Sequence, residues 1–344
     1  MLKPIIIVGG GLAGLTLGIG LRRENIPVTI WEAGKYPRHR VCGEFISGRG
    51  LETLARLGLM DAVRQAGARP ATTAAFFSGR KTFPGHELPE PAWCLSRFAL
   101  DALLAEKFRA LGGELRCESR WTETTPAEGV VRAGGRRAQA VDEGWRWFGL
   151  KAHAKNVTLA ADLEMHVGSG GYVGLCRLRD GGVTVCGLFR RRADERDLPQ
   201  RGEERLRGGP GSVLRGRLAA AAWDEESFCA VAGLALRPRR ATEGEDCCVG
   251  DALTMIPPVT GNGMSMAFES AEQALAPLTA YARGRLGWEA ARRGIATACD
   301  AAFARRLRWA GWLQRGLFAP PMGAALLTAA RWSGFWKLFF RLTR

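Results

Sequence analysis

The stretch IIIVGGGLAG at residues 5–14 decides the fold of this 344-residue chain. Four consecutive apolar residues predict a buried strand, and the amphipathic residues 15–21 predict the helix that follows it. A G-x-G-x-x-G motif in this setting binds a dinucleotide, because Gly9 permits a tight turn, Gly11 lets the backbone approach a pyrophosphate and Gly14 lets the helix pack on the strand. We therefore expect the residues of this turn to hold phosphates at the helix N-terminus: Gly9, Gly11, Ala13 and Gly14.

Glu32 is the next residue that defines the ligand. It follows a second apolar stretch, residues 28–31, and a carboxylate about twenty residues beyond the glycines accepts a hydrogen bond from a ribose hydroxyl. A 2′-phosphate beside Glu32 would be repelled by the carboxylate. The sequence therefore predicts an adenosine with an unmodified ribose.

Two further segments resemble the FAD-dependent oxidoreductases of the geranylgeranyl reductase and p-hydroxybenzoate hydroxylase superfamily. One is the polar loop PRHRVCGEFIS at residues 37–47, with an Arg-x-Cys-Gly segment that begins at Arg40. The other is the Ser-Arg-x-x-Leu-Asp sequence at residues 96–101, whose arginine, Arg97, lies near the FAD in that superfamily. The resemblance implies FAD as the cofactor, with Arg40 and Arg97 beside it. Arg97 and Asp101 are also spaced for an i,i+4 ion pair on a helix.

A third segment, CVGDALTMIPPVTGNGM at residues 248–264, resembles the second FAD motif of the same superfamily. The resemblance implies hydrogen bonds from the ribityl chain to Asp251 and backbone N–H groups of a Pro/Gly loop near the isoalloxazine. The helix predicted from Ser265 to Tyr281 would direct its N-terminus at the ring and favour reduced flavin by about 0.3–1 kcal/mol. The cofactor contacts implied here are Gly250, Asp251, Pro258, Gly261, Asn262, Gly263 and Met264.

The chain between the motifs predicts a second domain. Residues 147–153, 159–166, 171–178 and 183–189 alternate in the manner of strands and predict an antiparallel sheet. Together with the resemblance, this implies an α/β fold with a Rossmann-like FAD-binding domain of the glutathione reductase type, as in p-hydroxybenzoate hydroxylase, an antiparallel β-sheet substrate domain and C-terminal helices. We expect the FAD-binding domain over 1–70, 92–140 and 236–285, the substrate domain over 71–91 and 141–235, and a basic helical segment over 286–344.

The resemblance implies an FAD-dependent oxidoreductase that acts on a hydrophobic small molecule. We expect a monooxygenase-type hydroxylation of an aromatic, polyketide or lipid substrate, with Arg40 and Cys42 as candidate catalytic residues and NAD(P)H as the candidate electron donor. Cys42 is either a proton donor or a packed thiol. Two alternatives stay open: reduction of an alkene, as in prenyl and geranylgeranyl reductases, and an inactive FAD-binding scaffold at a membrane.

Three departures from the superfamily's patterns bear on these alternatives. The Asp-Gly motif that hydroxylases use for FAD and NADPH has glycine in place of aspartate in the segment 132–138, which leaves NADPH use open. The aromatic Tyr-x-Trp-x-Phe-Pro segment of prenyl reductases is replaced by YVGLC at residues 172–176. WRWF at residues 145–148 is similar to the Trp-x-Trp signature of flavin-dependent halogenases, but no Ile-Pro follows, and we set halogenation aside.

The net charge of +15 is concentrated toward the C-terminus, where no acidic residue follows Asp300. Lysines and arginines there alternate with Trp, Leu and Phe, which is typical of helices at an anionic membrane surface. The alternative is a set of helices whose aromatic side chains cap the core. No stretch there reaches the roughly 20 apolar residues that cross a bilayer. We expect a cytoplasmic protein, with peripheral attachment at the inner membrane face as a candidate.

Other function classes find little support in the composition. The nine cysteines include no C-x-x-C pair and the four histidines show no ligand spacing, so we expect no metal site. The basic C-terminal segment lacks a recognisable nucleic-acid reader fold, so we expect no nucleic-acid partner.

Overall fold

In the computed structural model, the described residues are 1–136, 138–139, 141–168, 170–195, 202–329 and 332–343, with the side chains of 320, 321, 333 and 335 left out. The strands, in chain order, are β1 Ile5–Val8, β2 Val28–Trp31, β3 Phe45–Ile46, β4 Arg69–Ser78, β5 Lys81–Thr82, β6 His86–Cys94, β7 Glu114–Arg116, β8 Val130–Arg132, β9 Trp145–Lys155, β10 Leu163–Val167, β11 Gly171–Arg177, β12 Val183–Arg192, β13 Ala222–Ala232 and β14 Cys247–Cys248. The α-helices are α1 Leu12–Arg23, α2 Arg49–Arg56, α3 Met60–Gln65, α4 Arg97–Ala110, α5 Gly202–Leu206, α6 Val213–Arg217, α7 Gly263–Ala282, α8 Trp288–Leu317, α9 Pro320–Ala329 and α10 Ser333–Leu342.

The first sheet is parallel and has the strand order β14-β8-β1-β2-β7. Its central strand β1 is the predicted apolar run, in which Ile5 and Ile7 are fully buried. The carboxyl ends of parallel strands lie at one edge of a sheet, which is where ligands bind in α/β folds. Both glycine segments, after β1 and after β14, therefore come to the same edge, and Glu32 after β2 joins them.

The second sheet is mixed and has the order β13-β9-β12-β11-β10-β4-β6-β3, with β5 paired to β4. The four predicted strands are confirmed as β9 to β12, and β10–β11, β11–β12 and β12–β9 pair antiparallel. The prediction was incomplete because β10 also pairs with β4 in parallel. β10 starts only at Leu163, after Asp162, whose side chain accepts hydrogen bonds from the backbone N–H groups of Thr72 and Thr73 in β4.

The C-terminal helices cover the core and also present residues to solvent. α8 packs on α7, where Arg306 and Glu269 form a buried ion pair. α10 reaches the second sheet, where Trp336 stacks on His86 with ring centroids 5.3 Å apart and donates Nε1–H to the carbonyl of Glu87 at 3.1 Å. Trp336 is 8% exposed, whereas Trp332 is 70% exposed. Among the described residues, no helix is both long enough and apolar enough to span a bilayer.

Candidate functional site

A cavity of about 980 Å³ joins the carboxyl edge of the parallel sheet to the face of the mixed sheet. Most of the residues that the sequence singled out line it: Gly9, Gly11, Ala13, Glu32, Arg40, Cys42, Arg97, Gly250, Asp251, Pro258, Gly261, Gly263 and Met264. Gly14 packs beneath the first loop, where an added Cβ would lie 2.0 Å from the carbonyl oxygen of Gly9. The fold therefore brings the two distant glycine segments to one cavity.

The first glycine loop has the shape of a phosphate cradle. Gly9 has a φ of 114°, and a Cβ there would lie 2.4 Å from the carbonyl oxygen of Ala133. Gly11 lines the cavity, and a Cβ on it would meet no atom within 4 Å, so the backbone is open to a ligand at this point. Gly11 also caps α1 without a side-chain hydrogen bond, which leaves N–H groups of the first turn for an anion.

Glu32 is held in place by the same loop. Its carboxylate accepts hydrogen bonds from the backbone N–H of Gly10 at 2.9 Å and of Gly34 at 2.8 Å, and Arg38 Nη2 lies 2.7 Å from Oε1. Burial by itself would raise the pKa of Glu32, but the hydrogen bonds from Gly34 and Arg38 and the charge of Arg38 hold it below its usual value. The carboxylate is therefore ionised and oriented at the edge where a ribose would lie.

Three arginines converge beside this loop: Arg38, Arg40 and Arg97. Burial, followed by the charges of Arg38 and Arg97, lowers the pKa of Arg40. Arg40 Nε is buried and has no hydrogen-bond partner among the described residues. Asp101 balances Arg97 through two hydrogen bonds of 2.7 and 2.8 Å, so the predicted i,i+4 pair is present and largely buried. An anionic diphosphate would relieve the repulsion that remains, and the arginine set therefore fits FAD.

The second glycine segment forms another wall of the same cavity. Gly250 and Gly261 have φ values of 64° and 67°, which glycine adopts without strain. α7 begins at Gly263 with no side-chain cap, so its first N–H groups are open. Asn262 is an exception among the predicted contacts: its side chain is fully buried, is not part of the cavity wall as described, and donates a hydrogen bond through Nδ2 to the carbonyl of Thr343.

Asp251 and Arg136 face each other across this wall. Burial raises the pKa of Asp251 to about 6, and the charges of Arg97 and Arg136 lower it in part. Burial likewise lowers the pKa of Arg136, and Asp251 opposes that shift. Sequence reasoning missed Arg136, although the Gly134-Gly135 pair directly after β8 was a signal for a third loop at the same edge of the sheet.

Glu44 is a second residue that sequence reasoning missed, and it is the centre of a buried polar network. Its carboxylate accepts a hydrogen bond from the backbone N–H of Arg97 at 2.9 Å and contacts His153 Nε2 at 2.6 Å. Lys151 Nζ lies 3.3 Å away, and the Thr184 hydroxyl donates to the same carboxylate. Burial alone would raise the pKa of Glu44, but His153, Lys151 and Thr184 hold it below its usual value. The network ties the loop 37–47, which carries Glu44, to β9, β12 and α4.

Cys42 lies at the cavity wall between these two groups of residues. Burial raises the pKa of its thiol, although the nearby charge of Arg97 acts in the opposite direction. The backbone N–H of Glu44 points at its sulfur from 3.4 Å. At neutral pH the thiol is therefore protonated, which is the state needed for a proton donor and also the state of a packed thiol.

The fold also brings together His39, His153 and Asp224, whose ligand atoms lie within 4.8 Å of one another. The spacing of the histidines in the sequence gave no sign of this group. Lys151 Nζ lies 3.1 Å from His39 Nδ1, however, and a lysine side chain at that distance opposes a cation. We therefore assign no metal to this group.

The remaining part of the cavity, as far as it is described, is lined mainly by apolar residues, with Glu164 as a charged exception. Strands of the mixed sheet contribute Leu175 and Leu188, and the C-terminal helices contribute Leu317, Trp336 and Phe340. These helices therefore form part of the wall around the space beside the second glycine segment.

Comparison with known proteins agrees with this geometry. A family model described as FAD binding domain matches residues 3–142. Squalene epoxidase erg1 of Schizosaccharomyces pombe is 37% identical over 59 residues, which are 17% of this chain and only 13% of that enzyme.

Solved structures extend the similarity over nearly the whole fold. The flavin-dependent brominase Bmp2 superposes with a TM-score of 0.80 at 16% identity, covering 98% of this chain and 92% of its own. PqsL of P. aeruginosa, in complex with 2-aminobenzoylacetate, superposes with a TM-score of 0.70 at 18% identity, covering 94% of this chain and 98% of its own. FAD is accordingly the cofactor of this protein. Residues 3–142 therefore form an FAD-binding domain, and the chain as a whole shares its fold with these flavin-dependent proteins.

Proposed function

We propose that the protein is a monooxygenase that hydroxylates a hydrophobic small molecule of aromatic, polyketide or lipid type. The observation that carries this proposal is the apolar compartment of the 980 Å³ cavity, which lies directly beside the second glycine segment. A substrate there would lie next to the redox-active ring and away from bulk water. The complex of PqsL with 2-aminobenzoylacetate, a small aromatic molecule, lends support from a protein of the same fold.

FAD, when bound, supplies the transfer of electrons from a reduced nicotinamide to dioxygen. The protein would bind the cofactor, orient the substrate beside it and keep water out of the site. The two glycine segments and Arg40 would bind the diphosphate, and Asp251 would accept hydrogen bonds from the ribityl chain. Trp336 and Phe340 would exclude water from the substrate. In the net reaction, one oxygen atom enters the substrate and the other leaves as water, while NAD(P)H is oxidised.

Cys42 is proposed as the group that handles a proton beside the substrate. Its thiol is protonated at neutral pH and lines the cavity, so it is placed to donate a proton to a bound molecule. The same observation favours alkene reduction as the second candidate function, since a carbanion-like carbon needs a proton after hydride addition. Arg40 is proposed as a cofactor ligand whose positive charge offsets anionic groups there.

One experiment separates the two functions. The FAD-loaded protein is reduced anaerobically with NADPH or NADH, and bleaching of the visible spectrum is followed; phenolic and isoprenoid compounds are then added without and with ¹⁸O₂. A monooxygenase needs oxygen for turnover and places one ¹⁸O atom in the product. Anaerobic reoxidation by an isoprenoid would establish the reductase instead. No substrate-dependent reoxidation under either condition would contradict both functions and favour the FAD-binding scaffold.

We also propose that the C-terminal segment docks at an anionic membrane surface. Arg305, Arg308 and Arg315 are exposed on one side of α8. Trp312 on the same helix is 41% exposed and Trp332 is 70% exposed. Basic and aromatic side chains in this arrangement suit the interface of an anionic bilayer.

A further inference from the structure

Tyr172 carries a hydroxyl group for which the described part of the chain offers no hydrogen-bond partner. Its side chain, on β11, is only 6% exposed. The hydroxyl oxygen is buried and forms no hydrogen bond with any described residue. A buried polar group in this condition destabilises a fold by about 1–3 kcal/mol, and native proteins leave few of them. A ligand in the cavity would supply the hydrogen-bond partner that the described residues do not.

The residue lies at the end of the cavity where a substrate would bind. Tyr172 lines the cavity and packs in one cluster with Val259, Leu188 and Leu317. Val259 belongs to the loop of the second glycine segment, which would border the isoalloxazine. Tyr172 is therefore next to the flavin end of the cavity and remote from Glu32 at the ribose end. Burial raises the pKa of Tyr172 well above its usual range, so the hydroxyl is neutral and can donate.

The charges around the cavity restrict what this partner can be. The charged residues of the cavity wall, as far as the wall is described, are Glu32, Arg38, Arg40, Glu44, Arg97, Arg120, Arg136, Glu164 and Asp251. Apart from Glu44 and Glu164, they lie in or beside the segments that would hold the cofactor, and Glu44 is already engaged by Lys151 and His153. Glu164 is already engaged by His166 at 2.8 Å and by Arg217 at 3.4 Å. Arg190, which lies outside the described cavity wall, is engaged by the carbonyl of Phe318 at 2.8 Å. The described wall therefore offers a charged ligand group no free counter-ion beside Tyr172.

We propose that the Tyr172 hydroxyl anchors the substrate through one uncharged oxygen, a phenolic hydroxyl or a carbonyl, on an otherwise apolar molecule. This rests on the proposed function, because it names the substrate class of the same cavity. The hydroxyl donates its proton to the ligand oxygen, and the surrounding leucines and Val259 contact the apolar body. The hydrogen bond fixes the orientation of the molecule relative to the second glycine segment.

The test compares Tyr172→Phe, which removes only the hydroxyl, with Tyr281→Phe as a matched control. The Tyr281 hydroxyl bonds to Glu128 at 2.9 Å, and neither residue is part of the cavity wall as described. Dissociation constants are measured on the FAD-loaded proteins with 2-naphthol, 2-acetonaphthone and naphthalene. Tyr172→Phe should bind at least one oxygenated probe roughly 3- to 10-fold more weakly and naphthalene equally well. Tyr281→Phe should bind all three as the wild type does.

The probe that loses affinity identifies the oxygen: 2-naphthol indicates a phenol and 2-acetonaphthone a carbonyl. Thermal unfolding shows whether the fold is intact, and Tyr172→Phe should melt no lower than the wild type because it loses an unpaired buried hydroxyl. Equal binding of the oxygenated probes by variant and wild type would overturn the proposal. So would an equal loss for all three probes, or no binding of any probe to the wild type. Binding requires no turnover, so a protein that shows the oxygen preference but no ¹⁸O incorporation would contradict only the proposed function.

Discussion

Among single residues, Asp251 shows a conflict between stability and cofactor binding. Burial raises its pKa from 3.8 to about 6. Between these values the folded protein binds more protons than the unfolded chain, so the stability of the flavin-free protein falls as the pH rises through this window. We expect Asp251→Asn, which carries no charge, to raise the Tm of the flavin-free protein at pH 7.5. The gain should shrink as the pH falls from about 7 to 5, where Asp251 itself becomes neutral.

Differential scanning calorimetry between pH 5 and 8 measures this effect, with Asp61→Asn as the control. Asp61 has an 84% exposed side chain, so its replacement should move the Tm little at any pH. The same Asp251→Asn variant should retain less FAD on dialysis, because an amide is a weaker hydrogen-bond acceptor than a carboxylate. A lower Tm at pH 7.5 for Asp251→Asn than for the wild type would show that the buried charge is fully compensated.

The residues that sequence reasoning missed share one property: their hydrogen-bond and ion-pair partners lie far away along the chain. Glu44 meets His153 and Thr184 across separations of 109 and 140 residues. Gly11 and Glu32, in contrast, belong to a local pattern whose spacing is fixed by one turn and one strand. Short-range spacing could therefore predict that Gly11 and Glu32 reach the same cavity. The polar network and the unpartnered Tyr172 hydroxyl depend on the packing of the two sheets, which no local pattern encodes.

At the level of secondary-structure elements, the Glu44–Lys151 pair joins the loop 37–47 to β9. Both side chains are fully buried, and removing one charge leaves the other without its partner. We expect Glu44→Gln and Lys151→Met each to lower the free energy of unfolding by about 3–5 kcal/mol. The double variant should be destabilised by much less than the sum, because it leaves neither buried charge alone.

Urea denaturation of the four proteins gives this coupling energy directly. Arg64→Met, which breaks an exposed pair with Asp61, is the matched control and should stay within about 0.5 kcal/mol of the wild type. Additive losses in the double variant would mean that Glu44 and Lys151 act independently and that the loop is held by Thr184 and the Arg97 backbone instead.

The strands themselves were easier to predict than their partners. Alternation identified β9 to β12 because one face of each strand is apolar, and that pattern is independent of the neighbour. It could not show that β4, almost ninety residues earlier in the chain, pairs with β10 in parallel. For the same reason the mixture of aromatic and basic residues near the C-terminus was compatible with a membrane surface and with the core. In the structure, Trp336 and Phe340 are buried, whereas Trp312 and Trp332 are exposed.

For the whole molecule, the C-terminal helices must be tested without removing them, because a truncated chain would lose part of the cavity wall. The exposed residues allow a milder test. Each basic side chain near an anionic surface contributes on the order of 1 kcal/mol, so Arg305→Gln/Arg308→Gln should weaken binding to phosphatidylglycerol vesicles by about 10- to 30-fold at low salt. The wild type should bind phosphatidylcholine vesicles far less, because those carry no net charge.

Arg64→Gln/Arg179→Gln is the control for this experiment, since it removes the same two charges from exposed positions outside the C-terminal segment. Vesicle co-sedimentation of this variant should match that of the wild type, while the FAD content of all three proteins should be equal. An equal loss of vesicle binding in both variants would show that binding depends on the net charge of +15 and not on the surface formed by the C-terminal helices. If the C-terminal pair alone loses binding, the helices that wall the apolar compartment also face the bilayer, and a hydrophobic substrate would have a short path from lipid to flavin.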